Sequence, residues 1–197
     1  MRLQPFHCDL PIGRITGLRT AERGSRRVLA LHGWLDNAAS FLPLSAHLPA
    51  DALDLVLLDL PGHGHSAWLP VGAEYTLSSA IHNLLLVADA LGWERFTVLG
   101  HSLGGGVASL MAAAAPERVE ALIAIEALGA LAEPVESTAS RLREAVSSTR
   151  TLAQRPLRVF PSMEMPVRAR MMANQLTEPA ARLLVERGVR VVEGGYS

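Results

Sequence analysis

The sequence predicts an α/β fold with a mostly parallel sheet flanked by helices, and three observations carry that reading. Short apolar runs alternate with segments of helical spacing between Arg27 and Ile125. The runs are almost continuously hydrophobic, LDLVLLDL above all, as expected of strands buried on both faces. Glycine and proline punctuate the junctions between them. Regular strand–helix–strand alternation implies right-handed crossovers, and therefore parallel strands with helices on both faces of one sheet.

Taken in order, Phe6–Leu10 and Ile12–Thr20 read as two extended segments, and Arg27–Leu31 as a compact apolar strand ending at His32-Gly33. A helix is expected from about Ala38 to Leu48, then a strong strand over Leu53–Leu60, stopped by Pro61-Gly62. Thr76 reads as an N-cap. Leu77, Ala80, Ile81, Leu84, Leu85, Ala88 and Leu91 follow at helical spacing, and Gly92 closes the helix. Phe96–Leu99 is a third buried strand, Gly104–Ala115 a small-residue helix ended by Pro116, and Val119–Ile125 a fourth buried strand. Past Gly129 the chain turns polar and Arg-rich, with candidate helices at Arg141–Thr149, Val167–Gln175 and Pro179–Arg187. Met163, Met165, Met171 and Met172 cluster there, as flexible core filling or as an adaptable lining over a pocket.

Composition narrows the function classes. With 197 residues the chain can bury a real core. Its formal net charge of -1 argues against strong attraction to nucleic acid or an anionic membrane. Every one of the 18 basic residues is Arg, read as genome composition more than phosphate binding. The single cysteine, Cys8, permits no intrachain disulfide, which fits a reducing, cytoplasmic location. The N-terminus does not read as a signal peptide. The run from Val119 to Ala132 is too short and too charged to span a bilayer.

The chemistry-bearing run is Gly100-His101-Ser102-Leu103-Gly104, a G-x-S-x-G sequence between a strand and an Ala-rich helix. A serine on such a sharp turn stands clear of the sheet and can attack a carbonyl. Side chains two residues to either side would collide, and glycine removes them. The helix that follows aims its free N–H groups at the site, where an oxyanion would be stabilised. Dinucleotide binding is a competing reading, with Glu126 as the ribose-binding acid. It would place Ser102 at a glycine position where the pyrophosphate needs close backbone approach. The turn His32-Gly33-Trp34 offers one oxyanion donor, the N–H of Trp34, and Leu103 N–H offers the second. His32 is assigned to bracing that loop. His63 and His65 suggest a metal at first sight, but no acid or Cys lies at ligand spacing, and a rigid turn bordering the site is preferred.

With His32-Gly33-Trp34, Asp59-Leu60-Pro61-Gly62-His63-Gly64-His65-Ser66 and Gly100-His101-Ser102-Leu103-Gly104 in this order, the chain resembles the α/β-hydrolase superfamily. The branch it resembles most bears a helical cap and includes epoxide hydrolases, haloalkane dehalogenases and C–C bond hydrolases. Within that branch it is similar to the serine-hydrolase-like proteins. Leu183–Gly188 and Glu193–Tyr196 also resemble the cap of that group, and the resemblance runs over roughly residues 10–197. It implies an α/β-hydrolase core over 1–129 and a cap, or lid, over 130–197. Where some relatives attack with Asp, this chain has Ser102, so acyl chemistry on an ester, thioester or related carbonyl is implied.

The family order is serine, acid, then histidine, yet no His and no Asp follows Ser102. His101 sits inside the turn, bordering the site with His32 and Gly33. Glu126, at the end of the fourth strand, is the acid candidate, with a capping carboxylate as its plainer reading. The last core strands are therefore expected to be absent. Two functions follow: a serine hydrolase incomplete in this chain, or a non-catalytic binding or scaffold protein. The implied substrate is a small molecule with a medium-sized apolar acyl group, with no cofactor, no metal, no nucleic acid and no membrane. A homo-oligomer is compatible with the sequence.

Overall fold

The computed structural model describes residues 1–49, 51–70, 73–129, 134–152 and 158–197. Strands β1 (Leu3–Leu10) and β2 (Gly13–Thr20) form an antiparallel hairpin in register from Leu3 opposite Thr20 to Leu10 opposite Gly13. Strand β3 (Arg26–Leu31) leads through a 3₁₀ turn, Ala38–Phe41, into the single-turn helix α1 (Leu42–Ser45), and β4 (Leu53–Leu58) follows. Helix α2 (Leu77–Ala90), β5 (Phe96–His101), α3 (Leu103–Ala114) and β6 (Val119–Ile125) complete the alternating part. The sheet order is β1-β2-β4-β3-β5-β6, with β4, β3, β5 and β6 parallel. This is the mostly parallel, helix-flanked α/β architecture that the alternation of apolar runs predicts.

Both faces of the central strands are covered because successive side chains point to opposite sides. Leu29 and Leu31 of β3 join Val56, Leu58, Phe96 and Val98 beneath α2 and α3, where Leu84, Val87, Val107 and Met111 meet them. Val28 and Ala30 join Leu55, Leu57, Leu99 and Phe41 on the other face. Each fully buried Leu or Phe contributes about 1.5–3 kcal/mol of transfer free energy. Helix α2 starts where Thr76 accepts from Ser79 N–H in a reciprocal capping box, and Gly92 follows its end in the left-handed region.

Three expectations change. The expected helix over Ala38–Leu48 is a 3₁₀ turn plus one α turn. Pro43 brings no N–H, so it breaks the ladder that would run from Ala39. Strand β4 ends at Leu58, two residues earlier than expected, although Asp59 N–H still donates to Thr16 O of β2. The third change concerns β6. Its composition reads as a doubly buried strand, but it is the sheet edge, and no strand among the described residues pairs with its outer side. Ile123 is 49% exposed and Ile125 38%.

The C-terminal region holds α4 (Thr138–Leu152), α5 (Glu164–Asn174), α6 (Glu178–Gly188) and a short hairpin, β7 (Val191–Val192) with β8 (Gly195–Tyr196). Met163 and Met171 pack with Val167, Ala181 and Val185 between α5 and α6, whereas Met165 and Met172 are exposed. Among the described residues no helix is long and apolar enough to cross a membrane.

Candidate active site

Ser102 occupies the turn between β5 and α3 with φ 50° and ψ -117°, a backbone conformation that costs a non-glycine residue energy and marks functional sites. The turn is held by Ser102 N–H donating to Ile125 O at 3.0 Å and Ser102 O accepting from Gly106 N–H at 3.0 Å. A Cβ on Gly100 would strike the backbone of Gly104 and Gly105, and one on Gly104 would strike the carbonyls of Leu31 and His32. Glycine at both positions therefore lets α3 begin hard against β3 and β5. Leu103, the first residue of α3, keeps a free N–H, as does Trp34; neither has an acceptor among the described residues.

Trp34 belongs to the loop 32–37, and that loop is pinned at His32, Asp36 and Asn37. His32 is buried; its Nδ1–H donates to Gly33 O at 2.8 Å, and its Nε2 accepts from Leu60 N–H at 3.0 Å. Burial, the dominant cause, pushes its pKa down to about 4, so the ring stays neutral at pH 7 and works as a brace. Asp36 is paired with Arg170 of α5. Asn37 caps the 3₁₀ turn through Ala39 N–H at 3.1 Å, and its Nδ2 donates to Leu184 O of α6 at 2.8 Å. Ala38 N–H donates to Asp59 at 2.8 Å.

Asp59 is the hub beneath the loop. This buried carboxylate also accepts from Thr16 Oγ1 at 2.7 Å, His65 N–H at 3.2 Å, and the Arg187 guanidinium at 2.7–3.1 Å. Burial alone would raise its pKa. The Arg187 and Ala38 hydrogen bonds, the Arg187 charge and Thr16 outweigh that, holding the carboxyl below its usual range. His63 Nδ1–H donates to Pro61 O at 3.1 Å, and its ring meets Trp34 and His32 edge-on. Among the described residues no cluster of His, Cys, Asp or Glu has metal-binding geometry.

Two cavities flank the turn. One, of about 130 Å³, has Leu103 and Trp34 in its wall, and its lining is mainly apolar. The other, of about 540 Å³, lies between the core and α5–α6 and includes His101, Glu126, Asp36 and Arg170. Trp34 and Leu103, the residue that follows Ser102, thus line one cavity. Glu126, in a left-handed conformation at the end of β6, meets His101 rather than Ser102: His101 Nε2 lies 3.0 Å from Glu126 Oε2, and Nδ1 lies 3.8 Å from Asp36 Oδ2. Although its backbone lies inside the turn, the His101 side chain reaches out over the larger cavity. Gly33 faces it, since a Cβ there would lie 3.1 Å from His101 Nδ1. Arg170, Arg187, Asn37 and Asp36 escape a reading by motif, because their partners lie far away in sequence.

The family model for the alpha/beta hydrolase fold matches residues 26–174. A serine hydrolase-like protein of Danio rerio is 33% identical over 97% of this chain and 60% of its own length. The human serine hydrolase-like protein 2 is 34% identical over 94% and 60%. The chain therefore spans about 60% of the length of these curated relatives. A hypothetical protein of Pseudomonas aeruginosa with a known crystal structure superposes with a TM-score of 0.91 at 39% identity, covering 98% of this chain and 68% of that one. With the turn at Ser102, the parallel sheet and these matches, the chain belongs to the alpha/beta hydrolase fold family.

Proposed function

We propose that this chain carries the nucleophile and oxyanion half of a serine hydrolase acting on an ester, thioester or related carbonyl. The observation that carries the reading is Ser102 in a strained strand-to-helix turn, with the free backbone N–H groups of Leu103, its neighbour, and Trp34 belonging to residues that line one cavity. Ser102 Oγ attacks the carbonyl carbon while its proton passes to a base. The carbonyl oxygen becomes an oxyanion held by the two N–H groups, where one such donor contributes about 3–4 kcal/mol. The bond to the leaving group then breaks, the leaving alcohol or thiol takes the proton, and water releases the acid from the acyl-serine by the same steps.

The base is proposed to be a histidine outside these residues, since none follows Ser102 and His101 is engaged with Glu126. Glu126 is proposed to orient that base, and residues 130–197 to form the cap. Three cap contacts on loop 32–37 and Asp59 support this, through Arg170, Leu184 O and Arg187. In a longer form that supplies the base, Ser102→Ala should reduce p-nitrophenyl acetate turnover by about a millionfold, leaving only the residual rate due to binding and the oxyanion donors. Turnover within a few-fold of the parent would refute the assignment.

A further inference from the structure

The cavity of about 130 Å³ beside Trp34 and Leu103 is built by the core, not by the C-terminal helices. Its walls come from the 60–69 loop, α2 and α3. Leu60, Pro61, Asn83 and Val107 are its buried residues, while Trp34, Tyr75 and Leu77 are exposed. Asn83 is the anomaly. It is only 5% exposed, yet its side-chain amide has no hydrogen-bond partner among the described residues. Nor does it count among fully enclosed orphan atoms, where Arg170 Nε is the one case among the described residues. The amide must therefore open onto the cavity it lines. Water reaches the amide there, and a ligand group that hydrogen-bonds to it replaces that water inside a mainly apolar lining, which favours a ligand carrying such a group.

Size sets the other limit. An apolar cavity of roughly 150 Å³ holds one benzene, so this one takes an acyl group of about six carbons. The two sides of Ser102 differ in a way that assigns the substrate's halves. The small cavity has a mainly apolar lining, which suits the group that stays bonded to Ser102. The cavity of about 540 Å³ is larger and carries His101, Glu126 and Arg170, which suits a leaving group that must take a proton and depart.

We propose that the Ser102 site is selective for a short acyl group, about benzoyl-sized, that bears a hydroxyl or amide at its far end, read by Asn83. This rests on the acyl-serine reading above. Binding tests it without catalysis, by titrating the ¹⁵N-labelled protein with methyl 4-hydroxybenzoate and methyl benzoate. The hydroxyl ester should bind about tenfold tighter, a difference of about 1.4 kcal/mol, with shifts at Trp34, Leu103 and Val107. Asn83→Leu should erase that preference. Ala80→Phe, which fills the cavity, should weaken both ligands. Asn83→Gln keeps the amide and serves as the second variant if Asn83→Leu does not fold; it should shift the preference towards a shorter acyl group. Equal binding of the two esters, a preference that survives Asn83→Leu, or shifts confined to His101 and Leu183 would overturn the proposal. Ser102→Ala should leave binding intact. A protein that binds as described but never acylates would therefore count against the catalytic reading alone.

Discussion

At Ser102 the residue types and their spacing state the turn in advance, because a side chain on so tight a strand-to-helix turn needs glycine at fixed distances. Gly100 and Gly104 bear this out sterically, each with backbone where a Cβ would go. Gly104→Ala should cost about 3 kcal/mol in urea unfolding, at the upper end for overpacking, since carbonyls cannot rotate aside. His32 makes a different prediction. Its folded pKa, near 4, lies below the value of about 6.5 it has when unfolded. The unfolded chain therefore binds a proton first as pH falls. The stability His32 confers is complete above pH 6.5 and lost by about pH 4, amounting to roughly 3 kcal/mol. Unfolding midpoints measured across that window should fall with pH, and His32→Gln should flatten the slope. An equal slope in the variant would remove His32 as the cause. What single residues could not reveal was the His101–Glu126 contact, because it joins two strand ends that only the sheet brings together.

Among the elements, local signals and long-range ones separate cleanly. The α2 boundaries were legible because the capping box and Gly92 are written in consecutive residues. The split of the 38–48 helix and the exposure of β6 were not. The first turns on how Pro43 interrupts a short ladder, and the second on which strand lies outermost. Nor was the fastening of loop 32–37 legible, since its anchors Arg170, Leu184 and Arg187 come from α5 and α6. Arg187→Met removes the cation from a fully buried Asp59 and should destabilise the protein by about 3–5 kcal/mol. Adding Asp59→Asn should recover part of that loss in the same denaturation assay. Full additivity of the two changes would show that the pair is not coupled.

For the whole molecule, the sheet order places the site where β3 and β5 end side by side, each turning into the element that bears a candidate oxyanion donor. The fold was legible as a mostly parallel α/β sheet from apolar runs alone. The cavities were not, for they are spaces between α2, α3 and loops whose packing no motif encodes. Among the described residues the outer edge of β6 is unpaired and carries exposed Ile123 and Ile125, a surface prone to pairing with other chains. In sedimentation velocity the 197-residue polypeptide should self-associate, and Ile123→Lys with Ile125→Lys should shift it towards monomer. An unchanged distribution would place the association elsewhere.

Labelling with a fluorophosphonate tests the role of Ser102 most directly. The full-length protein, digested and mapped by mass spectrometry after reaction, should carry a single adduct on Ser102, absent from Ser102→Ala. An adduct on another residue, or equal labelling of the variant, would contradict it.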